Sequence, residues 1–425
     1  MNKGSVSVKV MAAAAGSLLL AGCGGTAAGE EKAPAQVSQG MRWDAANPSV
    51  RPELATGRFH NVALKADGSV WGWGLNTNKQ LGDGTTTNRT QPVQVQGLTG
   101  TFVSVAAGGY HSLALRDDGT LWAWGANGNG QLGDGTSGGD KAPVQVQNLF
   151  NVVAMAGGAG FSLGLESDGD VWAWGHNYYC QLGNSSYNPS GLPVRVTTAD
   201  PALPYLTNVV AIAAGQFSGL AVRGDGSVWA WGNNAHGRLG DGTTTERCRA
   251  VKIALPDGAV AVDVSMGDNH SLALLSNGTV LAWGHNGHGQ LGTGGSGGVP
   301  SPASSLTPLA IPGLSNVTQI DAGAYVSLAV SNGVFFAWGN HTYGQLCSGS
   351  GGGYSNSMSP VPVSPGPSAS LLPAFEYVGA GEYFSVAMGS DGTLWSCGFD
   401  GYGSLGYDIP GGSMTNTLTQ VPAFP

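Results

Sequence analysis

The sequence predicts an all-β fold, a seven-bladed β-propeller, and three observations carry that prediction. Glycine supplies 72 of the 425 residues while charged residues reach only 10%, against roughly 7% and 25% in ordinary domains. A chain so composed has many tight turns and few long solvent-facing helices laced with ion pairs. A Trp-x-Trp-Gly type segment recurs, ending at Gly74, Gly125, Gly175, Gly232, Gly284, Gly339 and Gly398, at steps of 51, 50, 57, 52, 55 and 59 residues. Eleven of the twelve tryptophans fall in its two Trp columns, Trp43 being the exception. A two-residue turn precedes every copy: Asp67-Gly68, Asp118-Gly119, Asp168-Gly169, Asp225-Gly226, Asn277-Gly278, Asn332-Gly333 and Asp391-Gly392.

Each element of the unit follows from local chemistry. In residues 103–136 the first two segments, 103–107 and 112–115, are short, apolar and rich in β-formers. The Asp-Gly turn after them admits positive φ at both central positions, as a type I′ hairpin requires. The returning strand carries its two Trp at i and i+2, so both rings lie on one face. A fourth segment, seen at 92–95, 143–146 and 193–196, leads into the next unit. Four strands per unit, seven times over, make a propeller. A linear stack needs polar caps at its ends, and neither end has one. Residues 419–425 read as a fourth segment and 50–55 as a first, so pairing of the N- and C-terminal strands is expected to close the ring. The Gly/Ser/Pro-rich stretches 292–312 and 348–373 are read as connectors without strand.

Composition excludes several other classes. A hydrophobic fraction of 41% with 12 Trp, 12 Tyr and 11 Phe can build a core, which excludes disorder. The glycines keep no three-residue period, which excludes collagen. A net charge of −9 with no basic face speaks against a nucleic-acid binder.

The N-terminus reads as an address. Lys3 and Lys9 introduce an apolar run over 11–22, shorter than the ~20 residues that span a bilayer and fitting an export leader. The run ends Leu20-Ala21-Gly22-Cys23, which resembles the bacterial lipobox and implies that Cys23 carries lipid. The expected organisation is a leader over 1–22, a lipidated Cys and flexible tether over 23–40, and a propeller over 41–425. The expected location is the cell envelope, at the outer membrane if the cell is Gram-negative, with membrane contact through the lipid alone.

The units resemble the regulator of chromosome condensation repeat family, whose pattern A-A-G-x-x-H-S-L-A-L-x-x-D-G-x-x-x-x-W-G-x-N-x-x-G-Q-L-G is met over about 50–425. His60, His111 and His270 keep its His, replaced by Phe161, Ser218, Val326 and Phe384 elsewhere. Gln-Leu-Gly stands at 80–82, 131–133, 181–183 and 290–292, and departs at Cys347 and Ser404. The resemblance implies nucleotide exchange on a nuclear GTPase with histone binding, an activity that the export leader sets aside. A plant ultraviolet photoreceptor of the same fold uses clustered tryptophans, whereas here they keep structural columns. The chain is also similar to a secreted seven-bladed propeller that inhibits class A β-lactamases through aromatics two residues after the A-A-G glycine. That column here is Phe59, Tyr110, Gly160, Phe217, Asn269, Tyr325 and Tyr383. The loop after Trp-Gly adds Tyr178, Tyr179, His236, His288, Tyr343 and Tyr402.

Rigid blades bearing Tyr, Phe, His and Asn on loops suit protein recognition. The expected function is therefore a non-catalytic, monomeric, lipid-anchored scaffold that presents this aromatic face to a protein partner. Two alternatives stand beside it: an inhibitor of a secreted enzyme such as a β-lactamase, and an envelope hydrolase or carbohydrate binder using the central channel mouth. For the hydrolase, Asp268, Glu382 and Asp400 fall at rim-facing loop positions. No nucleophile elbow and no H-E-x-x-H motif is found. No cofactor and no metal is expected: His285 and His288 form a weak i, i+3 pair without acidic company, and the Asp-Gly-Thr tracts at 83–85, 134–136 and 241–243 lack calcium-loop spacing. Besides Cys23, the four cysteines sit at odd places of the repeat, and neighbouring-blade position favours Cys180 with Cys248 and Cys347 with Cys397 among the three pairings possible.

Overall fold

A computed structural model describes residues 50–294, 303–349, 355–364, 372–409 and 414–422. The leader, Cys23 and tether expected over 1–40 lie outside the described residues. The described chain forms seven antiparallel sheets of four consecutive strands each, and its one helical element is the 3-10 turn Ala235–Gly237. Blade 2 shows the pattern: Phe102–Ala107, His111–Arg116, Leu121–Gly125 and Lys141–Gln145. His111 lies opposite Gly125, Ser112 opposite Trp124 and Leu113 opposite Ala123. The innermost strands of the other blades are Glu53–Thr56, Val152–Gly157, Val209–Ala214, Ala261–Met266, Val317–Ala322 and Phe375–Ala380.

The ring closes differently from the expectation. The N-terminal strand Glu53–Thr56 pairs with His60–Leu64 of its own blade, and Met414–Gln420 pairs with Leu394–Phe399 of its own. Each repeat contains all four of its strands, so no terminal strand is exchanged. Blades 7 and 1 instead join as other neighbours do, side by side. The indole Nε1–H of Trp73 and the amide of Asn61 both donate to the Ser404 carbonyl, at 3.2 and 2.8 Å. A second correction concerns the connectors: 292–312 and 348–373 contain the outer strands Ser304–Ala310 and Ser357–Pro362. Proline hid them, since it is tolerated in an edge strand, where an N–H can face solvent.

The apolar core is divided among the blade junctions. Val62, Leu64 and Val70 of blade 1 pack with Phe102, Val105 and Trp124 of blade 2, and the other junctions repeat the arrangement. Polar bonds register it. In every blade but the seventh, the second Trp donates its indole N–H to the carbonyl at the Gln position of the preceding blade: beside Trp73, Trp124 to Gln80 and Trp174 to Gln131 at 2.9 Å, Trp231 to Gln181 at 2.8 Å, Trp283 to Arg238 and Trp338 to Gln290 at 2.9 Å. Those carbonyls also take the Ser hydroxyls of Ser112, Ser162, Ser271 and Ser327.

The three family histidines are part of this scaffold. His60, His111 and His270 are fully buried, and each Nε2 meets the next blade's Ser112, Ser162 or Ser327 hydroxyl at 2.9, 2.9 and 2.7 Å. Each hydroxyl hydrogen is already given to a Gln carbonyl, so Nε2–H is the donor, and the buried Nδ1 on the other side of each ring has no hydrogen-bond partner, which favours the neutral ring. Burial holds their pKa values down, to about 3, 4 and 3. Both favoured disulfides, Cys180–Cys248 and Cys347–Cys397, are present.

Candidate functional site

The A-A-G glycines end the inner strands and wall the central channel. A Cβ on Gly108 would meet the Gly158 carbonyl oxygen at 2.6 Å, and one on Gly267 that of Gly323 at 2.0 Å, so the blades approach too closely here for any side chain. The next residue in each blade rims the mouth: Arg58, Gly109, Ala159, Gln216, Asp268, Ala324 and Glu382. Arg58 of blade 1 reaches across the ring to Asp268 of blade 5, Nη2 to Oδ2 3.6 Å, and is ion-paired with Glu382 of blade 7. Burial raises the Asp268 carboxyl, and the Arg58 charge opposes that rise. Arg58 was not anticipated from the sequence, because a lone Arg before the aromatic column repeats in no other blade.

Asp400 is elsewhere, which corrects its placement at the rim. It holds the Asn position of the Trp-Gly-x-Asn corner, where its Oδ1 accepts the Leu405 N–H at 2.8 Å as Asn76 Oδ1 accepts that of Leu81 at 3.0 Å. Burial pushes its carboxyl up to about 6 against the pull of that N–H, with Asp408 adding to the rise. The three carboxylates therefore share no centre.

The aromatic columns do meet. In every blade the N–H after Trp-Gly donates to the carbonyl of the first-column residue, for example Leu75 to Phe59, His176 to Gly160, His285 to Asn269 and Phe399 to Tyr383, each at 2.9 Å. That bond brings the Trp-Gly-x-Asn loop onto the channel rim. The residue two beyond the Asn position then reaches the first column of the next blade. Ring centroids of Tyr179 and Phe217 lie 4.9 Å apart, of His288 and Tyr325 5.2 Å, of Tyr343 and Tyr383 4.6 Å, and of Tyr402 and Phe59 5.0 Å. These are favourable tilted and edge contacts, and they cross four blade junctions.

Other expected residues differ in detail. Tyr110 is half-buried on the same rim, and a Cβ on Gly160 would meet Asn129 Nδ2 at 3.3 Å. The Asn269 side-chain oxygen accepts from the Arg238 guanidinium, which is itself buried and has its pKa lowered by that burial to about 10. Tyr178 is 62% exposed and stacks edge-on to His176 at 4.8 Å; His236 lies 4.8 Å from His285.

The sequence reading overlooked three members, His176, His285 and Phe399, which directly follow Trp-Gly. The signal for them is the conformation at that glycine, φ 106° at Gly175, 101° at Gly284 and 111° at Gly398, which turns the chain toward the rim.

The RCC1-like domain profile matches residues 13–371, most of the chain. The chain belongs to the RCC1-like domain family. It is 30% identical to the Arabidopsis thaliana ultraviolet-B receptor UVR8 over 261 residues, 57% of this chain and 54% of that protein. It is 29% identical to the mitochondrial RCC1 domain-containing protein RUG3 of the same plant over 312 residues, 70% of this chain and 67% of that one. The chain thus spans about half of UVR8. Among solved structures it is similar to human WBSCR16, with TM-score 0.68 and 24% identity over 79% of this chain and 86% of that one. It is likewise similar to yeast RCC1 (Prp20) bound to Kap60, with TM-score 0.70 and 24% identity over 89% and 86%. Those two structures speak for the fold.

Proposed function

We infer that this RCC1-like propeller is a non-catalytic docking scaffold, monomeric and held at the cell envelope by lipid on Cys23, that binds a protein partner through its aromatic face. The supporting observation is the convergence of two loop columns, from every blade, on one rim where rings meet across four junctions. Aromatic side chains pre-packed on loops between rigid strands contribute contact area with little ordering cost. The Saccharomyces cerevisiae relative Prp20p is described with binding to Gsp1p and histones, so the fold supports protein docking. A hydrolytic role for the channel mouth is disfavoured, because Asp268 and Glu382 are engaged by Arg58.

Capture of envelope proteins by the wild type and by a Tyr110→Ala/Phe217→Ala/Tyr383→Ala variant tests the surface. Loss of a specific partner in the variant is expected; an unchanged set of partners would place docking elsewhere. Labelling with a palmitate analogue tests the anchor, and a label that persists in Cys23→Ser overturns it.

A further inference from the structure

Three histidines of the face point Nδ1 at amide groups whose orientation is already decided. Gln181 Oε1 accepts the Tyr179 backbone N–H at 2.9 Å, so the atom of Gln181 that meets His176 Nδ1 is its Nε2 amide. Blade 5 repeats this: Gln290 Oε1 accepts the His288 N–H at 3.0 Å, and Gln290 Nε2 donates to His285 Nδ1 at 2.8 Å. His288 Nδ1 lies 3.2 Å from both Asn340 Nδ2 and Asn356 Nδ2. Asn340 Oδ1 accepts from the Thr342 N–H and from Gln345 Nε2, at 3.0 and 2.7 Å, and Asn356 Oδ1 accepts the His341 N–H at 3.1 Å. A backbone N–H can meet only an acceptor, so none of these amides can flip without losing that bond.

Each ring must then present a bare Nδ1 and carry its hydrogen on Nε2. Protonation places an N–H against an amide N–H, and one of the two bonds breaks. No carboxylate compensates among the groups in ring or charge contact with these histidines. His176 faces Tyr178, Tyr179 and Phe217. His285 faces His236 and His288 with the Arg238 charge nearby, and His288 faces Tyr325.

We propose that these His–amide pairs are acid-sensitive locks that hold the aromatic loops of the docking face in register while the rings are neutral and release them on protonation. Burial lowers the His176 pKa, and burial together with His236, His288 and Arg238 lowers that of His285. The His176 and His285 locks are therefore complete above the ordinary His value of about 6.5 and fail as pH falls below it. This regulation rests on the docking reading for its purpose, but its chemistry is tested without any partner.

The experiment is a pH titration of the full-length protein by NMR with labelled His and Gln side chains. At neutral pH the three rings should show the Nε2–H tautomer. On acidification the His176 ring, the Gln181 side-chain amide and the Tyr179 backbone amide should move in one transition below the ordinary value, with Tyr179 losing exchange protection. Gln181→Glu keeps an acceptor for Tyr179 but offers a carboxylate to protonated His176, so it should reverse the sign and raise that titration by about one unit or more. An Nδ1–H tautomer, or titration at the ordinary value with Gln181 and Tyr179 unmoved, overturns the locks in the wild type alone, whether or not the variant folds. A working lock beside a face that captures nothing would sink the docking reading and leave the lock intact.

Discussion

Cys347 and Cys397 form a disulfide at the place where the other junctions put a glycine against a tryptophan. Cys397 replaces the second Trp of blade 7, and Cys347 replaces the glycine after Gln-Leu in blade 6. At the junction of blades 2 and 3, by contrast, a Cβ on Gly133 would meet the Trp174 Nε1 at 2.8 Å. Six junctions are tied by an indole N–H to a carbonyl. The junction of blades 6 and 7 is tied covalently.

Removing the bond as Cys347→Ser/Cys397→Ser should therefore lower stability by about 2–4 kcal/mol, read as a shift of the urea midpoint. Cys347→Gly/Cys397→Trp rebuilds the arrangement of the other six and should recover part of that loss. Recovery no better than the Ser pair would show that the two cysteines are not a substitute for the Trp contact.

Trp174→Phe keeps an aromatic ring but withdraws the donor to the Gln131 carbonyl. The expected cost is about 1–3 kcal/mol, for a buried acceptor that loses one partner and a ring that fills less space. Ser162 still donates to the same carbonyl at 2.9 Å, so the effect belongs toward the lower end. Chemical denaturation measures it.

The buried histidines predict acid sensitivity of the whole ring. His60, His111 and His270 have depressed folded-state values, so the unfolded chain binds more protons below the ordinary value of about 6.5. Stability present above that pH is lost as pH falls toward about 4, at up to roughly 1.4 kcal/mol per unit for each ring. His111→Phe imitates the Phe161 and Phe384 found at the same column in blades 3 and 7. It should flatten the pH dependence by about a third of the contribution from the three rings. An unchanged slope between pH 6.5 and 4 would falsify the assignment.

Arg58→Met removes the cation shared by Asp268 and Glu382 and, among the described residues, leaves only the Arg238 charge near Asp268. The expected loss is about 1–3 kcal/mol, below the cost of breaking a wholly buried pair because the guanidinium keeps some solvent contact. Adding Asp268→Asn should return part of it. If the double variant is no more stable than Arg58→Met, the cross-channel pair is not what the arginine contributes.

The repeat was legible because its parts are local. An Asp-Gly turn, an i/i+2 Trp pair and a glycine at positive φ each act within a few residues, so seven strand hairpins could be read directly. Neighbour order made both disulfide pairings legible as well. The outer strands Ser304–Ala310 and Ser357–Pro362 were not, because their proline and serine content resembles a connector and only pairing to the third strand of the blade makes them β.

Sequence alone determined the blade count, the buried tryptophan columns and the two aromatic loop columns. Tertiary structure decided how they meet. Arg58 joins Asp268 across the ring although the two are far apart in the chain, and Tyr402 finds Phe59 only because the last blade lies beside the first. The tautomers of His176 and His285 depend on which atom of a glutamine a backbone N–H has already taken. Turn and strand preferences are set by each residue and its immediate neighbours. Ion pairs, ring contacts and proton positions are set by what the closed ring brings within a few ångströms.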